Sequence, residues 1–301
     1  MYSLNVCINY YINELVLSNH AKSTMEAYKG DLDQFKKFIK NKYSGIRDIE
    51  QIKVKHIAEF RRYLSVEKQF CEKTIKRKID CLRAFFGYLY EYGYIDANPT
   101  VKLIKNKIKK EELPKYLNYK EISQIIAAAK SNKNENLIRD TALLYCFAYT
   151  GARRSEILQL NWSNVNFFDS TLAIHREKNG TSDILPLQDG LKKALKDLYI
   201  QSRPDPDDPV FISKKGNRLS NTAFNEMLRK SVKLSGLKKD FNITSHIFRH
   251  SFITELMKQG VTLREIQQYT GHKDINSLMG YTHICSEYKK RVIETLPQIS
   301  V

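Results

Sequence analysis

The sequence predicts a mainly α-helical protein of two domains. Apolar residues recur at helical spacing through most of the chain, whereas runs of strand character are confined to one short region. A chain of 301 residues is also long for one hydrophobic core. A lysine-rich stretch, residues 101–113, has little helical periodicity and closes at Pro114. We therefore expect an N-terminal helical domain over residues 1–100, a basic linker, and a mostly helical domain with a small antiparallel sheet over residues 114–301.

Two amphipathic helices are predicted in the N-terminal domain. Ser23 and Glu26 have the spacing of a capping box, so the first helix is expected to start near Thr24. The second is expected to start near Thr74, and the region ends at Asn98-Pro99. The apolar residues at helical spacing are Tyr28, Leu32, Phe35 and Ile39 in the first helix and Ile75, Ile79, Leu82, Phe86 and Leu89 in the second.

The C-terminal domain combines helices with one small sheet. Short apolar runs at residues 165–167 and 171–174 predict strands, and Asn179-Gly180 predicts a hairpin turn before Ile184. Lys178 is therefore expected at the tip of a β-hairpin. Helical spacing predicts the other elements, at residues 119–130, before Thr150-Gly151, and at residues 153–160, 221–235, 249–259, 263–270 and 287–296.

Positive charge dominates both predicted domains. The formal net charge of +17 is typical of proteins that neutralise phosphates, so we expect the two domains to bind DNA as a clamp. A charged run on one helix face is also the ordinary appearance of a solvated helix, but its density here favours a surface that faces DNA. The candidate DNA-binding residues are Lys73, Lys76, Arg77, Lys78 and Arg83 on the second helix and Lys105 and Lys107 in the linker.

Several classes of protein do not fit this composition. The five cysteines are widely spaced and form no C-x-x-C pair, which argues against a disulfide framework and against a zinc site. Residues 1–19 carry no basic leader and include Glu14, which argues against a signal peptide. The most apolar window, residues 142–151, is too short to span a bilayer. We expect a cytoplasmic, nucleoid-associated protein with no membrane partner, no metal and no other cofactor.

Six residues of the second domain form a set suited to phosphodiester chemistry. Two arginines can bind non-bridging oxygens with forked hydrogen bonds, a lysine and histidines can transfer protons, and a tyrosine can act as nucleophile. In chain order these candidates are Arg153, Lys178, His246, Arg249, His272 and Tyr281. They predict a DNA strand transferase that works through a covalent phosphotyrosine.

Five short motifs in this order resemble those of the tyrosine recombinase (phage integrase) family. They are Thr-Gly-Ala-Arg-Arg-Ser-Glu at residues 150–156, the hairpin lysine, His-Ile-Phe-Arg-His at residues 246–250, Gly271-His272, and Tyr-Thr-His at residues 281–283. The step from His272 to Tyr281 also has the family's length. The N-terminal helices resemble that family's core-binding, SAM-like domain, in the compact form of Xer recombinases and transposon integrases.

The resemblance implies a role for each candidate side chain. Tyr281 would attack the scissile phosphate and leave a 3′-phosphotyrosyl link with a free 5′-hydroxyl. Arg153 and Arg249 would bind the non-bridging oxygens. The remaining roles would be protonation of the departing oxygen by Lys178, acid–base catalysis by His246, phosphate bonding by His272, and structural support from Glu156 and His250. Glu156 can equally be an ordinary carboxylate at the start of a helix.

The assignment of Lys178 departs from the pattern common in the family. Thr181, Ser182 and Asp183 stand where basic residues often follow the hairpin lysine. Arg176 is the nearest substitute for Lys178 as the proton donor. Arg154, beside Arg153, is expected to lie at the surface or to contact the DNA backbone.

The resemblance further implies the reaction and its partners. The enzyme would cut and rejoin duplex DNA at a short inverted-repeat core site, without a metal ion or ATP, for integration, excision or dimer resolution. A terminal helix with the apolar stripe Tyr288, Val292 and Leu296 would dock on a neighbouring protomer and link a homotetramer around two duplexes. Docking of this helix on its own domain is the alternative. Whether an accessory factor or a second recombinase takes part is left open.

Two other functions share parts of this pattern. A type IB topoisomerase uses the same tyrosine chemistry to relax DNA, but its N-terminal half would not resemble a recombinase core-binding domain. A non-catalytic DNA-binding protein would need none of the six candidate catalytic residues. The DNA sequence of the target site cannot be read from the chain, because base recognition depends on side-chain placement and on duplex deformability.

Overall fold

A computed structural model describes residues 2–103, 114–131, 135–176 and 180–282 of the protein. The chain forms two compact units, Met1–Lys109 and Lys110–Val301. Helices make up most of both units, and a small antiparallel sheet lies in the second. The mainly helical fold with one small sheet is therefore confirmed.

The N-terminal unit is built from four helices around one aromatic core. They are α1 (Leu4–Leu17), α2 (Lys22–Lys42), α3 (Val54–Val66) and α4 (Glu72–Glu91). The α4 helix packs against each of the other three, so its apolar stripe forms the centre of the unit. Four phenylalanines with almost no exposed surface fill this centre, namely Phe35, Phe60, Phe85 and Phe86.

Both predicted N-terminal helices exist and begin two residues before the predicted positions, but the capping box predicted for the first is wrong. The α2 helix begins at Lys22 after Ala21, so Ser23 lies inside the first turn and does not cap it. The α4 helix begins at Glu72, just before the predicted Thr74, and no side chain caps it. The α1 helix escaped prediction because it is apolar on most sides, with Leu17 exposed and Cys7 buried, and so shows no clear amphipathic stripe.

The C-terminal unit is built around one mostly apolar and largely buried helix. Its helices are α5 (Tyr119–Ser131), α6 (Leu137–Thr150), α7 (Arg154–Leu158), α8 (Asp189–Ser202), α9 (Asn221–Leu234), α10 (Ser245–Lys258), α11 (Leu263–Thr270) and α12 (Asn276–Thr282). The α6 helix packs against α5, α8 and α10, and most of its residues are buried. A smaller apolar cluster joins α10, α11 and α12, which brings the end of the described chain back to α10.

The sheet has three antiparallel strands in the order β1 (Val165–Asn166), β2 (Thr171–Arg176) and β3 (Thr181–Pro186). The β2 and β3 strands form the predicted hairpin, in which Arg176 is paired with Thr181. Along β2, Leu172, Ile174 and Arg176 alternate inward. The last of these inward positions is thus an arginine, which the apolar pattern did not predict.

Several predictions fall on residues outside the described ranges. They are Lys105, Lys107, Lys178, and the terminal helix over residues 287–296. No helix within the described ranges is long and apolar enough to cross a membrane. Among the described cysteines, Cys7, Cys71, Cys81 and Cys146 are free thiols.

Candidate active site

The turn between α6 and α7 places Arg153. The α6 helix ends at Thr150, and Gly151 adopts the left-handed conformation with φ of 56°. Arg153 then precedes α7 as its N-cap residue. Its backbone N–H donates to Glu156 Oε2 at 2.8 Å, and its Nη1 donates to Glu156 Oε1 at 2.7 Å. Glu156 therefore fixes both the main chain and the guanidinium of Arg153.

The second arginine is held by backbone carbonyl groups. Arg249 lies on α10 and is 6 % exposed. Its Nη1 donates to Gly151 O at 2.7 Å and its Nη2 to Thr270 O at 2.9 Å. Burial lowers the pKa of Arg249 to about 10, and the charge of Arg153 adds to this effect, so the side chain stays cationic at neutral pH. Two guanidinium groups are thereby brought into one site.

His272 lies directly against Arg249. The α11 helix ends at Gly271, whose φ of 65° turns the chain so that His272 faces the site. The ring nitrogen Nδ1 is 2.6 Å from Thr270 Oγ1, and Nε2 is 3.1 Å from Arg249 Nη2. Burial lowers the pKa of His272 to about 3, and the neighbouring arginines lower it further. At neutral pH the ring is therefore uncharged and adds no further positive charge beside the two arginines.

Tyr281 is buried and hydrogen-bonded to His250. It lies on α12, is 5 % exposed, and its phenolic oxygen contacts His250 Nδ1. Burial raises the pKa of Tyr281 to about 12, although Arg249 opposes the rise. Burial also lowers the pKa of His250 to about 4, followed in effect by the charges of His246 and Arg249. At neutral pH both groups are therefore uncharged, and the phenol is the donor when His250 Nδ1 carries no proton.

His246 lies one helical turn before His250 on the same face of α10. The side chain of His246 is exposed to solvent. Its pKa is lowered first by partial loss of hydration and then by the charges of Arg249, Arg154 and Arg153. The sequence predicted His246 as the acid–base residue and His250 as support. The geometry instead gives the contact with the phenol to His250, and the four-residue spacing of the two histidines was the available signal.

Arg176 does not occupy an open catalytic position. Its side chain has no exposed surface and donates to Glu156, to Asp183 and to the carbonyl of Tyr269. The idea that Arg176 replaces the hairpin lysine as a proton donor is therefore corrected, because a fully buried guanidinium, which does not deprotonate in proteins, cannot deliver a proton to DNA. Lys178 itself lies outside the described residues.

The basic residues of α4 differ in their exposure. Lys73 and Arg77 are exposed, whereas Lys76 and Arg83 are half-buried. Arg77 forms a two-bond ion pair with Asp31, and Arg83 pairs with Asp80. Lys78 is 9 % exposed and its Nζ lies 2.6 Å from Asp31 Oδ1. The prediction that Lys78 faces solvent and DNA is therefore corrected, since it ties α4 to α2.

Comparisons with known proteins cover both units. The phage integrase family matches residues 115–287, and the family described as "Phage integrase, N-terminal SAM-like domain" matches residues 8–93. The tyrosine recombinase XerC of Thermodesulfovibrio yellowstonii is 31 % identical over 288 residues, which are 92 % of this chain and 91 % of that protein.

Two solved structures share the fold at low sequence identity. A XerH site-specific recombinase bound to a palindromic difH substrate matches with a TM-score of 0.76 and 21 % identity, over 92 % of this chain and 81 % of that chain. A lambda integrase tetramer bound to a Holliday junction matches with a TM-score of 0.73 and 19 % identity, over 91 % and 78 %.

Proposed function

The chain belongs to the phage integrase family of tyrosine recombinases, the enzymes of site-specific DNA recombination, and on this premise we propose that Tyr281 cuts and rejoins DNA strands through a 3′-phosphotyrosyl intermediate. The observation that carries the proposal is the convergence of Arg153, Arg249, His272 and Tyr281 from four separate segments in one site. In attack on a phosphodiester, the tyrosine can act as nucleophile, and the arginines and the histidine can stabilise the charge of the transition state.

The two arginines supply the electrostatic part of the reaction. Each guanidinium has five N–H donors, more than its contacts within the protein use. The remaining donors of Arg153 and Arg249 bind the non-bridging oxygens and offset the charge that grows in the transition state. In the free protein both ring nitrogens of His272 are engaged, by Thr270 and by Arg249. His272 bonds the same phosphate in the tautomer that protonates Nε2, once the phosphate displaces the contact of Nε2 with Arg249.

The proton of the nucleophile leaves through His250. With His250 in the tautomer that leaves Nδ1 unprotonated, Tyr281 donates to it, and attack on phosphorus can pass the phenolic proton to this ring as the bond to the 5′-oxygen breaks. The incoming phosphate is anionic and raises the affinity of His250 for the proton. His246, at the exposed edge of the same face, exchanges protons with solvent, and Lys178 protonates the 5′-oxygen. Rejoining reverses these steps.

The cationic side chains provide the charge stabilisation that divalent ions provide in many nucleases. The phosphotyrosyl bond keeps the linkage activated for rejoining. We therefore expect the reaction to proceed in EDTA and without ATP. The substrate is duplex DNA with a short inverted-repeat core site, used for integration, excision or dimer resolution in the cytoplasm at the nucleoid.

Both units take part in DNA binding in this proposal. Residues 1–100 form the core-binding domain, residues 101–113 the basic linker, and residues 114–301 the catalytic domain with its terminal exchange helix. Two separate apolar cores support this division. Candidate phosphate contacts are Lys73, Lys76, Arg77 and Arg83 in the described chain, with Lys105 and Lys107 in the linker.

Covalent trapping from a random duplex pool tests the proposal. Nicked duplexes that lose their short 5′-hydroxyl fragment after cleavage should accumulate a protein–DNA adduct in the presence of EDTA, and peptide mapping should place the link on Tyr281. Tyr281→Phe should bind the recovered duplexes but form no adduct. Tyr199→Phe, at an exposed tyrosine of the same unit, should behave as the wild type. An adduct on another residue, or none on any duplex, refutes the mechanism.

A further inference from the structure

Arg176 connects three parts of the candidate active site from a fully buried position. It ends β2 and has no exposed side-chain surface. Its Nη1 donates to Glu156 Oε2 at 3.0 Å, its Nε to Asp183 Oδ2 at 2.7 Å, and its Nη2 to Tyr269 O at 2.7 Å. Each nitrogen of the guanidinium thus contacts a different element, namely α7, β3 and the last turn of α11.

Glu156 is shared between this buried arginine and Arg153. Its side chain has no exposed surface, and Oε1 accepts from Arg153 Nη1 while Oε2 accepts from both Arg153 N and Arg176 Nη1. Bonding through Oε1 uses only one Nη of Arg153, and Nη2 makes one long contact with Gly271 O, so N–H groups of this guanidinium remain for a phosphate. Arg176 and the backbone N–H of Arg153 both hold Oε2, which opposes a turn of Glu156 that would bind the Arg153 guanidinium through both oxygens.

The same side chain lies against the residue before His272. A Cβ at Gly271 would meet Arg176 Nε at 2.9 Å and Cδ at 3.0 Å, so these segments touch closely. Arg153 Nη2 also reaches Gly271 O at 3.4 Å. Arg176 and Arg153 therefore hold the turn that orients His272 from two sides.

We propose that Arg176 is a positioning residue, which aims Arg153 at the scissile phosphate through the carboxylate that the two arginines share. The inference rests on the proposed function, because it assigns Arg153 to the phosphate. Arg176 touches no reacting atom. A lysine in its place keeps the charge but cannot reach three partners at fixed angles. Its effect is therefore expected on the orientation of Arg153 and not on the charge of the site.

Cleavage of two matched substrates tests this inference with the full chain. The first is a nicked duplex of the sequence recovered by covalent trapping, and the second is the same duplex with a methylphosphonate at the scissile position, as each separated diastereomer. The methylphosphonate has no negative charge, so it depends less on a guanidinium clamp. Arg176→Lys should slow cleavage of the phosphodiester about 100-fold at saturating DNA, the size expected for a misplaced catalytic group. On at least one methylphosphonate diastereomer it should react at the wild-type rate.

Two further variants show whether a loss of cleavage in Arg176→Lys comes from the orientation of Arg153 or from a general structural defect. Arg153→Lys should show the same dependence on substrate as Arg176→Lys. Arg139→Lys, which changes another largely buried arginine of the same unit bonded to Asp140 and to Ile212 O, should match the wild type on both substrates. An equal loss of Arg176→Lys on both substrates would show a merely structural role and overturn the inference. So would no loss on either.

A second variant, Asp183→Asn, tests the inference even if Arg176→Lys does not fold. Asp183→Asn removes one charged partner of Arg176 at a side chain that is 32 % exposed, and it should give a smaller loss with the same substrate dependence. The absence of any such dependence in a folded Asp183→Asn protein overturns the inference. If the wild type forms no Tyr281 adduct, the proposed function fails; if it does and these variants react alike on both substrates, only the role of Arg176 fails.

Discussion

At the scale of single residues, the pairing of Tyr281 with His250 determines how the proposed nucleophile is held before DNA binds. A buried phenol with a pKa near 12 is a poor nucleophile, and a neutral histidine beside it is a weak base. Both conditions change when an anionic phosphate enters, since negative charge favours the imidazolium. Under the proposed mechanism, we therefore expect the site to react only when DNA is bound.

The buried histidines predict how stability depends on pH. Unfolded histidine titrates near 6.5, whereas burial lowers the pKa of His272 to about 3 and that of His250 to about 4. Below pH 6.5 the unfolded chain binds protons that the folded chain does not. The contribution of the two histidines to the free energy of unfolding should thus be greatest above pH 6.5. As pH decreases toward 4, that free energy should fall by at most about 1.4 kcal/mol per pH unit for each histidine.

Urea denaturation at pH 7 and pH 5 measures this effect. His272→Asn should weaken the dependence on pH. His175→Asn, at an exposed histidine of β2, is the matched control and should leave the dependence unchanged. Identical pH dependence in the wild type and in His272→Asn would contradict the assignment of a buried, neutral ring.

At the scale of secondary-structure elements, tight junctions place the catalytic side chains. Gly151 joins α6 to α7, adopts φ of 56°, and has its carbonyl bonded to Arg249. An added Cβ would meet the ring of Phe252, with Cε1 at 2.8 Å. The junction therefore needs glycine both for its backbone conformation and for space.

Gly151→Ala should reduce both stability and cleavage. The left-handed backbone and the clash together should cost roughly 2 to 5 kcal/mol in unfolding free energy. Gly216→Ala isolates the backbone contribution, since Gly216 has φ of 79° with no atom within 4 Å, and it should cost roughly 1 to 2 kcal/mol. Equal costs for the two substitutions in chemical denaturation would show that contact with Phe252 is unimportant.

In the N-terminal unit, Asp31 joins α2 to α4. It is 5 % exposed and accepts bonds from Arg77 and Lys78. Asp31→Asn leaves the ammonium of Lys78 buried without its charged partner and should destabilise this unit by about 3 kcal/mol. Asp33→Asn, which removes an exposed pair with Lys36 on the same helix, should cost less than about 1 kcal/mol. Guanidinium denaturation followed by circular dichroism distinguishes the two, and equal costs would argue against a buried tie.

At the scale of the whole molecule, two cores and a surplus of positive charge define the protein. Each unit buries its own apolar cluster, and the net charge of +17 favours association with a polyanion. The proposed assembly on two duplexes needs a further contact between protomers. The terminal stripe of Tyr288, Val292 and Leu296 is the candidate for that contact.

Replacing the three stripe residues by serine should abolish tetramers on paired duplexes and leave Tyr281 adducts on a single nicked duplex intact, because only the contact between protomers is lost. Mass photometry measures the assembly and denaturing gels measure the adduct. Lys290→Ser with Glu294→Ser changes polar positions of the same segment and should preserve tetramers. Tetramers that survive the loss of the stripe would favour docking of the segment on its own domain.

The sequence by itself determined the family, the mainly helical fold and the order of the candidate residues. These features depend on local periodicity, on turn residues and on motif spacing, all of which are properties of neighbouring positions. Helix starts were less well determined, since α2 begins without the capping box expected of Ser23 and Glu26. The α1 helix, which is apolar on most sides, offered no clear stripe to recognise.

Only the tertiary structure decided which groups meet. Spacing along the chain cannot show that Lys78 lies under Asp31, that Arg176 shares Glu156 with Arg153, or that His250 bonds to Tyr281. Each of these contacts joins segments that are distant in sequence or fixes the direction of a long side chain. Burial then keeps His250 uncharged at neutral pH, because the loss of hydration lowers its pKa to about 4.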